Sequence, residues 1–562
     1  MKKKEEIKEE TKTNHKKIKE TIKFTILAVI LITIFCVALT PVTFQNDTYY
    51  TIKVGEHIAQ NGIDNQDPFS WHEGLGYTYP HWGYDLITYF IYQGFGFTGI
   101  YVTTCILSII LGLSIYFINT KLAKNQVFSF LITIGVMYMI RGYIAARAQL
   151  VTFILFTLTI FFIEQFLKTR KKKYAIGLII IPVIIANIHV AVFPFYFVLY
   201  LPYIAEYLIT ILAETIIYRK IKTMMLKFKI SQLKKKVGQE EKLNILEAQL
   251  EELETKLDKV KIKRTKELQN PYKIKFMKNS NVKWLILIMI ICLLTGFLTP
   301  LGTTPYTYLA KTMQGNTTES INEHLPMVLS DDTDAMCALI IFLAILIFTN
   351  AKIKLSDLFM IVGLCYLMIT SRRQITMFAI IGSVILNRLI IQLLENYTKK
   401  KQEDFRNKLT HVVGSIVIIA LMLGLSYYLG KDKLDDAYVD ESVYPVEASD
   451  FILNHIDLKT ARFYNEYNYG SYLLFKGIPV FIDSRADLYA PEFSGKEEDI
   501  FSDFIDMSSI GNFYGDIFEK YDMTHVITYK NSKINMIITK TEFEKYKELY
   551  QDDYFVIYEI IK

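Results

Sequence analysis

A succession of apolar runs limits this chain more than any other feature: near residues 24–42, 97–118, 127–142, 148–168, 175–190, 193–214, 283–299, 335–350, 355–370, 375–396 and 409–429. A helix rises about 1.5 Å per residue, so crossing a hydrocarbon layer about 30 Å thick takes about 20 apolar residues. In that layer every backbone N–H and C=O must be paired within the segment, which leaves helices as the natural solution. The runs predict an all-α polytopic membrane protein with about eleven transmembrane helices, some of them near the lower length limit. Composition agrees: 51% of the 562 residues are hydrophobic, too many for a soluble protein, while charged tracts dilute the mean hydropathy to +0.24 and read as soluble additions. The first run follows a long charged segment and precedes no clear cleavage pattern, so it reads as a retained signal anchor. "HWGYDLITYFIYQ" suits a helix lying in the interface as well as the start of a span.

Lysine and arginine collect in cytoplasmic loops and so give orientation. Residues 1–23 hold nine lysines, and "KTRKKK" (168–173), the tract 216–281 and "TKKKQEDFRNK" (398–408) are similarly basic. Loop 43–96 has only Lys53 against six acids, and 300–334 only Lys311 against five. The amino terminus is therefore expected inside and the last 130 or so residues outside. The net charge of +6 is explained by these loops and does not call for nucleic acid. All five cysteines lie in apolar runs without a short-spaced pair, as small core residues would.

The expected organisation is a basic cytoplasmic amino terminus (1–23), a first half of the membrane core (24–215) with outer loop 43–96, a cytoplasmic insertion (216–282), a second half (283–430) with outer loop 300–334, and an extracytoplasmic domain (431–562). In the insertion, Leu243, Leu246, Leu250, Leu253, Leu257 and Val260 follow coiled-coil spacing. An earlier set, Leu226, Ile230, Leu233 and Val237, is out of phase with it across Gly238, so a helical hairpin is expected. It serves either a coiled-coil partner or self-association through 216–282, or only as a solvated spacer. At the carboxyl end, strand-like "IPVFID" and "THVITYK" mix with helical "EFEKYKELY", a small α/β domain.

Ionisable residues at membrane depth are costly and mark function by default. Arg141 and Arg147 ("MIRGYIAARAQL") and Arg372 and Arg373 ("TSRRQITMF") fall on the expected outer side, against the positive-inside trend. Asn187 and His189 ("IIANIHVAVFP"), Glu323 and His324 ("SINEHLP"), and Asp47, Asp67, Glu73 and His81 of the first outer loop fall there too. They are expected to line one outward cavity. Each has a plainer reading: arginines at span ends snorkel to headgroups, Asn187 and His189 join helices by hydrogen bonds, and Asp64 and Asp67 initiate turns. Arginine forks suit a phosphate, and a lipid phosphate lies at this depth. A phosphate linked to a sugar is already a good leaving group, so transfer needs chiefly a carboxylate to take the acceptor hydroxyl's proton. Asp47, followed by two tyrosines that can flank a sugar ring, is the candidate base or metal-binding acid. His57, His72, His81, His189 and His324 are too widely spaced for an obvious zinc site; magnesium or manganese on carboxylates is the alternative.

An early Asp in the first outer loop, as in "QNDTYY", resembles the GT-C superfamily of membrane glycosyltransferases, distantly including oligosaccharyltransferases and protein mannosyltransferases. Across nearly its full length the chain resembles a group of bacterial GT-C-like proteins, through "DPFS…HW", "RAQL", "NIH", "TPLG", "INE", "RRQITMFAI", "YNYGSYLLF" and "VFIDSRADLY" in that order. The resemblance implies a GT-C bundle, a lipid-linked sugar donor and catalysis by the first-loop acid, and it specifies no donor sugar, linkage or acceptor; the expected partners are a polyprenyl-phosphate-linked sugar and an envelope glycan, lipid or protein as acceptor, met at the cytoplasmic membrane. With the outer-side convergence, Asp47 and Glu323 are expected as catalytic acids, and Asp67, His81, Arg141, Arg147, Asn187, His189, His324, Arg372 and Arg373 about the substrates. Val190 and His324 depart from the pattern after "NIH" and "INE". Asp483, Arg485 and Asp487 in "FIDSRADLY" meet an acceptor glycan, pair with the mouth of the bundle, or form an internal ion pair at a strand end. Two rivals from other classes stay open: a lipid transporter or flippase, although no internal repeat is evident, and a catalytically silent scaffold.

Overall fold

The computed structural model describes residues 2–214, 223–228, 230–231, 244–251, 268–269, 273–395 and 399–561. Its bundle is built from α1 (Lys2–Leu39), α2 (Asn46–Asn61), α3 (Trp82–Ala123), α4 (Gln126–Met139), α5 (Ala148–Thr169), α6 (Lys172–Ile188), α7 (Phe193–Val198), α8 (Leu201–Glu214), α9 (Val282–Leu294), α10 (Thr304–Gln314), α11 (Thr333–Phe348), α12 (Leu355–Thr370), α13 (Ile375–Glu395) and α14 (Val412–Gly430). Each of the eleven apolar runs falls on helix. Among the described residues six stretches are long and apolar enough to cross a membrane: Ile18–Leu39, Trp82–Ala123, Ala148–Thr169, Val190–Leu212, Arg372–Leu394 and Val412–Lys433. Gln126–Met139, Val282–Phe297, Thr333–Phe348 and Leu355–Thr370 are apolar but shorter. The chain is thus a multi-pass helical protein, and the expected count of eleven is met in helices but not in full-length spans.

Local chemistry explains the breaks. Gly96, with φ 61° and ψ −155°, takes a conformation open to glycine and kinks α3, so "HWGYDLITYFIYQ" forms a separate arm before the kink. That arm packs on α2 so closely that a Cβ at Gly55 would stand 2.1 Å from the carbonyl oxygen of Asp85. Asn125 caps α4 by accepting from the N–H of Phe128, and α5 ends at Arg170 in the left-handed region.

Two apolar cores result. One fills the bundle, with Phe35, Cys36, Leu111, Phe130, Met137, Phe156 and Phe378 among its buried members. The other joins loop 43–81 to the carboxyl-terminal domain through Tyr49, Tyr77, Tyr444, Tyr472 and Val480. Cys36, Cys105 and Cys292 are buried as expected, whereas Cys337 is exposed. Within the bundle Arg388 lies between Glu164 and Asp357, each at 2.8 Å, and Tyr203 donates to Glu164. The pairing fastens α5, α8, α12 and α13 roughly 25 Å along α5 from Arg147.

The insertion ends in a small sheet in which β1 (Leu268–Gln269) runs antiparallel to β2 (Ile274–Phe276), itself parallel to β3 (Ile353–Lys354). Of the heptad positions, Leu226, Ile230, Leu246 and Leu250 are helical, while Leu233, Val237, Leu243, Leu253, Leu257 and Val260 lie outside the described residues.

The carboxyl-terminal domain is α/β. Its sheet has the order β4 (Phe463–Tyr464), β5 (His525–Tyr529), β7 (Phe555–Ile560), β6 (Tyr546–Gln551), with β4 parallel to β5 and the rest antiparallel. "THVITYK" is a strand as expected. "IPVFID" is not: it makes a single bridge, Val480 to Ser70. "EFEKYKELY", expected helical, is a 3-10 turn followed by β6, because pairing with β7 overrides its local preference.

Candidate functional site

Helix ends supply the site. Asp47 is the second residue of α2, Arg147 precedes α5 in an extended conformation, His81 precedes α3, and His189 ends α6 at φ −157° and ψ 78°. Glu323 and His324 sit in the turn after the short helix Thr317–Ser320, and Arg373 in the 3-10 turn before α13. Helix ends leave backbone groups unpaired, and neighbouring segments answer them: the N–H of Val190 bonds the carbonyl of Pro80 at 3.0 Å, and that of Arg373 bonds the carbonyl of Glu323 at 2.9 Å.

The guanidinium of Arg147 holds both candidate acids. Its Nε donates to Asp47 Oδ2 at 2.5 Å, its Nη2 also pairs with that oxygen, and its Nη1 donates to Glu323 Oε1 at 2.8 Å. Burial pushes the Glu323 carboxyl up, but Arg147 and then Arg373 more than offset it and hold it below the usual range. Burial alone would lower Arg147, yet Asp47 and Glu323 hold it above its ordinary value. The rings of His81 and His189 lie 4.9 Å apart, and His189 Nδ1 shares a hydrogen bond with Thr152 Oγ1 at 2.8 Å. Burial, then Arg373 and Arg147, push the His81 imidazole down to about 3, so it is neutral at physiological pH. Arg373 differs from Arg147: among the described residues its side chain makes no hydrogen bond or ion pair.

These groups line one cavity of about 1590 Å³. Its polar end carries Asp47, His81, Arg147, His189, Glu323, His324 and Arg373; Phe195, Leu199 and Pro202 face it from α7 and α8, and Phe359, Leu364 and Leu367 from α12. The carboxyl-terminal domain closes another side with Tyr467, Asn468 and Asp487. Asp487 Oδ2 accepts from Tyr308 at 2.7 Å, and its Oδ1 from Thr317 at 3.1 Å.

Four expected members stand elsewhere. Asp67 does not line the cavity: its carboxylate is fully buried, accepts the Ser70 N–H at 2.9 Å and pairs at 2.6 Å with Arg485, which does line it, so Asp67 is a turn and ion-pair residue behind the wall. Asn187 does not line it either, donating to the carbonyls of Val183 and Leu298. Arg141 pairs with Asp334 at 2.7 Å and lies over the Tyr138 ring, and Arg372 pairs with Asp332 at 3.1 Å. Of the remaining first-loop groups, Glu73 is exposed, His57 bonds Asp64, and His72 donates to the carbonyl of Phe481. Asp483 and Arg485 form the internal ion pair, and of these three charged residues of "FIDSRADLY" both Arg485 and Asp487 line the cavity. Sequence reasoning assigned no role to Glu466, Tyr467 or Asn468, although "YNYGSYLLF" contains two of them.

The donor set does not fit a divalent cation as arranged. Asp47 and Glu323 are both spent on one guanidinium, and among the described residues no three His, Cys, Asp or Glu side chains come together.

No family model and no curated protein matches the chain. Among solved structures, it is similar to the archaeal oligosaccharyltransferase AglB from Archaeoglobus fulgidus, in complex with an inhibitory peptide and a dolichol-phosphate, at a TM-score of 0.51 and 10% identity over 94% of this chain and 70% of that one. An Archaeoglobus fulgidus oligosaccharyltransferase tethered to an acceptor peptide containing the NVT sequon has a TM-score of 0.46, with 10% identity over 95% and 74% of the two chains. At such identity the first likeness speaks for architecture alone: this chain shares the fold of that oligosaccharyltransferase.

Proposed function

We propose that this protein is a membrane glycosyltransferase that moves a sugar from a polyprenyl-phosphate-linked donor to an acceptor at the outer face of the cytoplasmic membrane. The observation that carries the reading is Arg373, a guanidinium without a side-chain partner among the described residues, facing a cavity with apolar walls beside two acids held by Arg147. Arg373 is half-buried, and a guanidinium that faces a cavity without a protein partner is free to take an anion there. The apolar walls suit a lipid chain, and the AglB structure, which contains a dolichol-phosphate, supports a lipid-linked partner in general.

In this reading the donor phosphate lies on Arg373 and draws Arg147 toward it, relaxing the hold on Asp47. Asp47 then takes the proton of the acceptor hydroxyl as its oxygen forms the new bond to the anomeric carbon. The bond from that carbon to the phosphate oxygen breaks, and the lipid phosphate leaves with the electron pair, its charge met by the two arginines. Glu323 holds Arg147 in register. The test is Asp47→Ala in membranes supplied with a lipid-linked sugar fraction: product formation should fall at least about a hundredfold while the protein stays folded and inserted. Undiminished product would remove Asp47 from the reaction.

A further inference from the structure

A second cavity, about 460 Å³, lies in the carboxyl-terminal domain and shares two lining residues, Glu466 and Ser508, with the large one. It is formed where three strands end together. Tyr464 closes β4, Tyr529 closes β5, and Tyr554 stands immediately before β7, which runs antiparallel to β5. Crevices beyond the carboxyl ends of parallel strands are where α/β sheets take ligands, and the volume falls within the range of small-molecule sites.

From Glu466, Thr528 and Ser532 form a line of bonded groups: Thr528 Oγ1 donates to Glu466 Oε1 at 2.8 Å and lies 2.7 Å from Ser532 Oγ. Asn531 and Tyr554 are exposed beside them. The cavity is also tied to the reaction centre, because Asn46, next to Asp47, donates its side-chain amide to the carbonyl of Tyr467 at 2.7 Å, and Glu466 is the next residue back. The smaller cavity therefore adjoins the one that holds Asp47, through the shared Glu466 and Ser508.

We propose that the smaller cavity is a subsite for a neutral carbohydrate chain, the acceptor whose terminal hydroxyl reaches Asp47. The proposal rests on the glycosyltransferase reading above. Tyr554, the exposed tyrosine of the lining, offers a ring face to the C–H face of a sugar, while the hydroxyl, amide and carboxylate groups answer ring hydroxyls. Lys533 is offset by Glu466 and Asp553, so the lining has no cationic surplus to select a polyanion. A peptide would gain most from a long free strand edge, whereas this cavity lies off the strand ends, away from edge strand β6, and meets the two-residue edge strand β4 only at its last residue, Tyr464.

The experiment uses the full chain in nanodiscs and saturation-transfer NMR with chitotetraose, maltotetraose and cellotetraose, beside an equimolar mixture of random hexapeptides. At least one tetrasaccharide should bind, and Tyr554→Ala and Asn531→Ala should each weaken it about tenfold or more, roughly 1.4 kcal/mol or above. Both variants should leave binding of a short-chain polyprenyl phosphate unchanged. Binding of none of the tetrasaccharides, binding indifferent to both variants, or preferential capture of the hexapeptides would overturn the proposal. Loss of sugar transfer alone would not, so carbohydrate binding that persists in a protein inactive with every donor would count against the catalytic reading and leave this subsite standing.

Discussion

The ion pair joining the first loop to the carboxyl-terminal domain offers the most demanding test of this architecture. Arg485 donates Nη1 to Asp67 and Nε and Nη2 to Asp483, its guanidinium lies 5.0 Å from the Tyr77 ring centroid, and Tyr489 adds its hydroxyl to Asp483. Side-chain exposure is 3% for Arg485 and 0% for both aspartates. Arg485→Met keeps the apolar stem but strands two carboxylates where solvent does not reach, a loss of about 3–5 kcal/mol. For a domain of this size each kcal/mol lowers Tm by about 3 °C, so a drop on the order of 10 °C is expected at pH 7. Differential scanning fluorimetry of the detergent-solubilised chain reads it, and limited proteolysis should show new cuts in residues 62–79.

The pH dependence checks the cause. Burial pushes Asp67 up, but Arg485 more than offsets it and holds the native carboxyl below its usual range, so the wild-type contribution is present above the unfolded value and lost as pH falls through the lower native one. In the variant burial acts on Asp67 without a counter-charge, its carboxyl rises above its unfolded value, and protonation relieves the penalty. The gap between the two proteins should therefore be widest near neutrality and narrow below about pH 5. A Tm change under about 2 °C, or a large one that ignores pH, would refute the reasoning. If Asp67→Asn instead weakened donor binding at unchanged Tm, Asp67 would belong to the substrate site after all.

Arg373→Gln should weaken binding of a polyprenyl phosphate by about 10- to 100-fold, measured by calorimetry in nanodiscs, while altering Tm little, because the side chain gives up no protein partner among the described residues; equal affinity would discard the phosphate assignment. His72 makes a separate pH prediction. Burial holds its imidazole down to about 4 while Nε2 donates to Phe481, so between the unfolded value near 6.5 and about 4 the unfolded chain binds a proton that the native one refuses. Stability should fall as pH drops through that window by about 2 kcal/mol from this residue, after allowing for its partial exposure. His72→Gln should remove that share of the slope in a thermal-shift series from pH 7.5 to 4.5, and an unchanged slope would contradict it.

Much of this protein is written in local chemistry. Apolar runs demand helices whatever lies beside them, so all eleven could be read directly, and Asp47, Arg147, Glu323 and Arg373 stood out because charge near a span end is costly without a purpose. Which charges meet is another matter. Arg147 clasps Asp47 and Glu323, 100 and 176 residues away, whereas the equally conspicuous Arg141 and Arg372 pair with Asp334 and Asp332. Asp67 read as a site residue and is instead locked to Arg485, 418 positions along. Periodicity and composition describe what each segment must bury, but a carboxylate has the same letter whether it faces a cavity or a distant guanidinium. Only the packing of helix ends against the carboxyl-terminal domain chose between those partners, and the same packing turned "EFEKYKELY" into an edge strand and opened the second cavity at the strand ends.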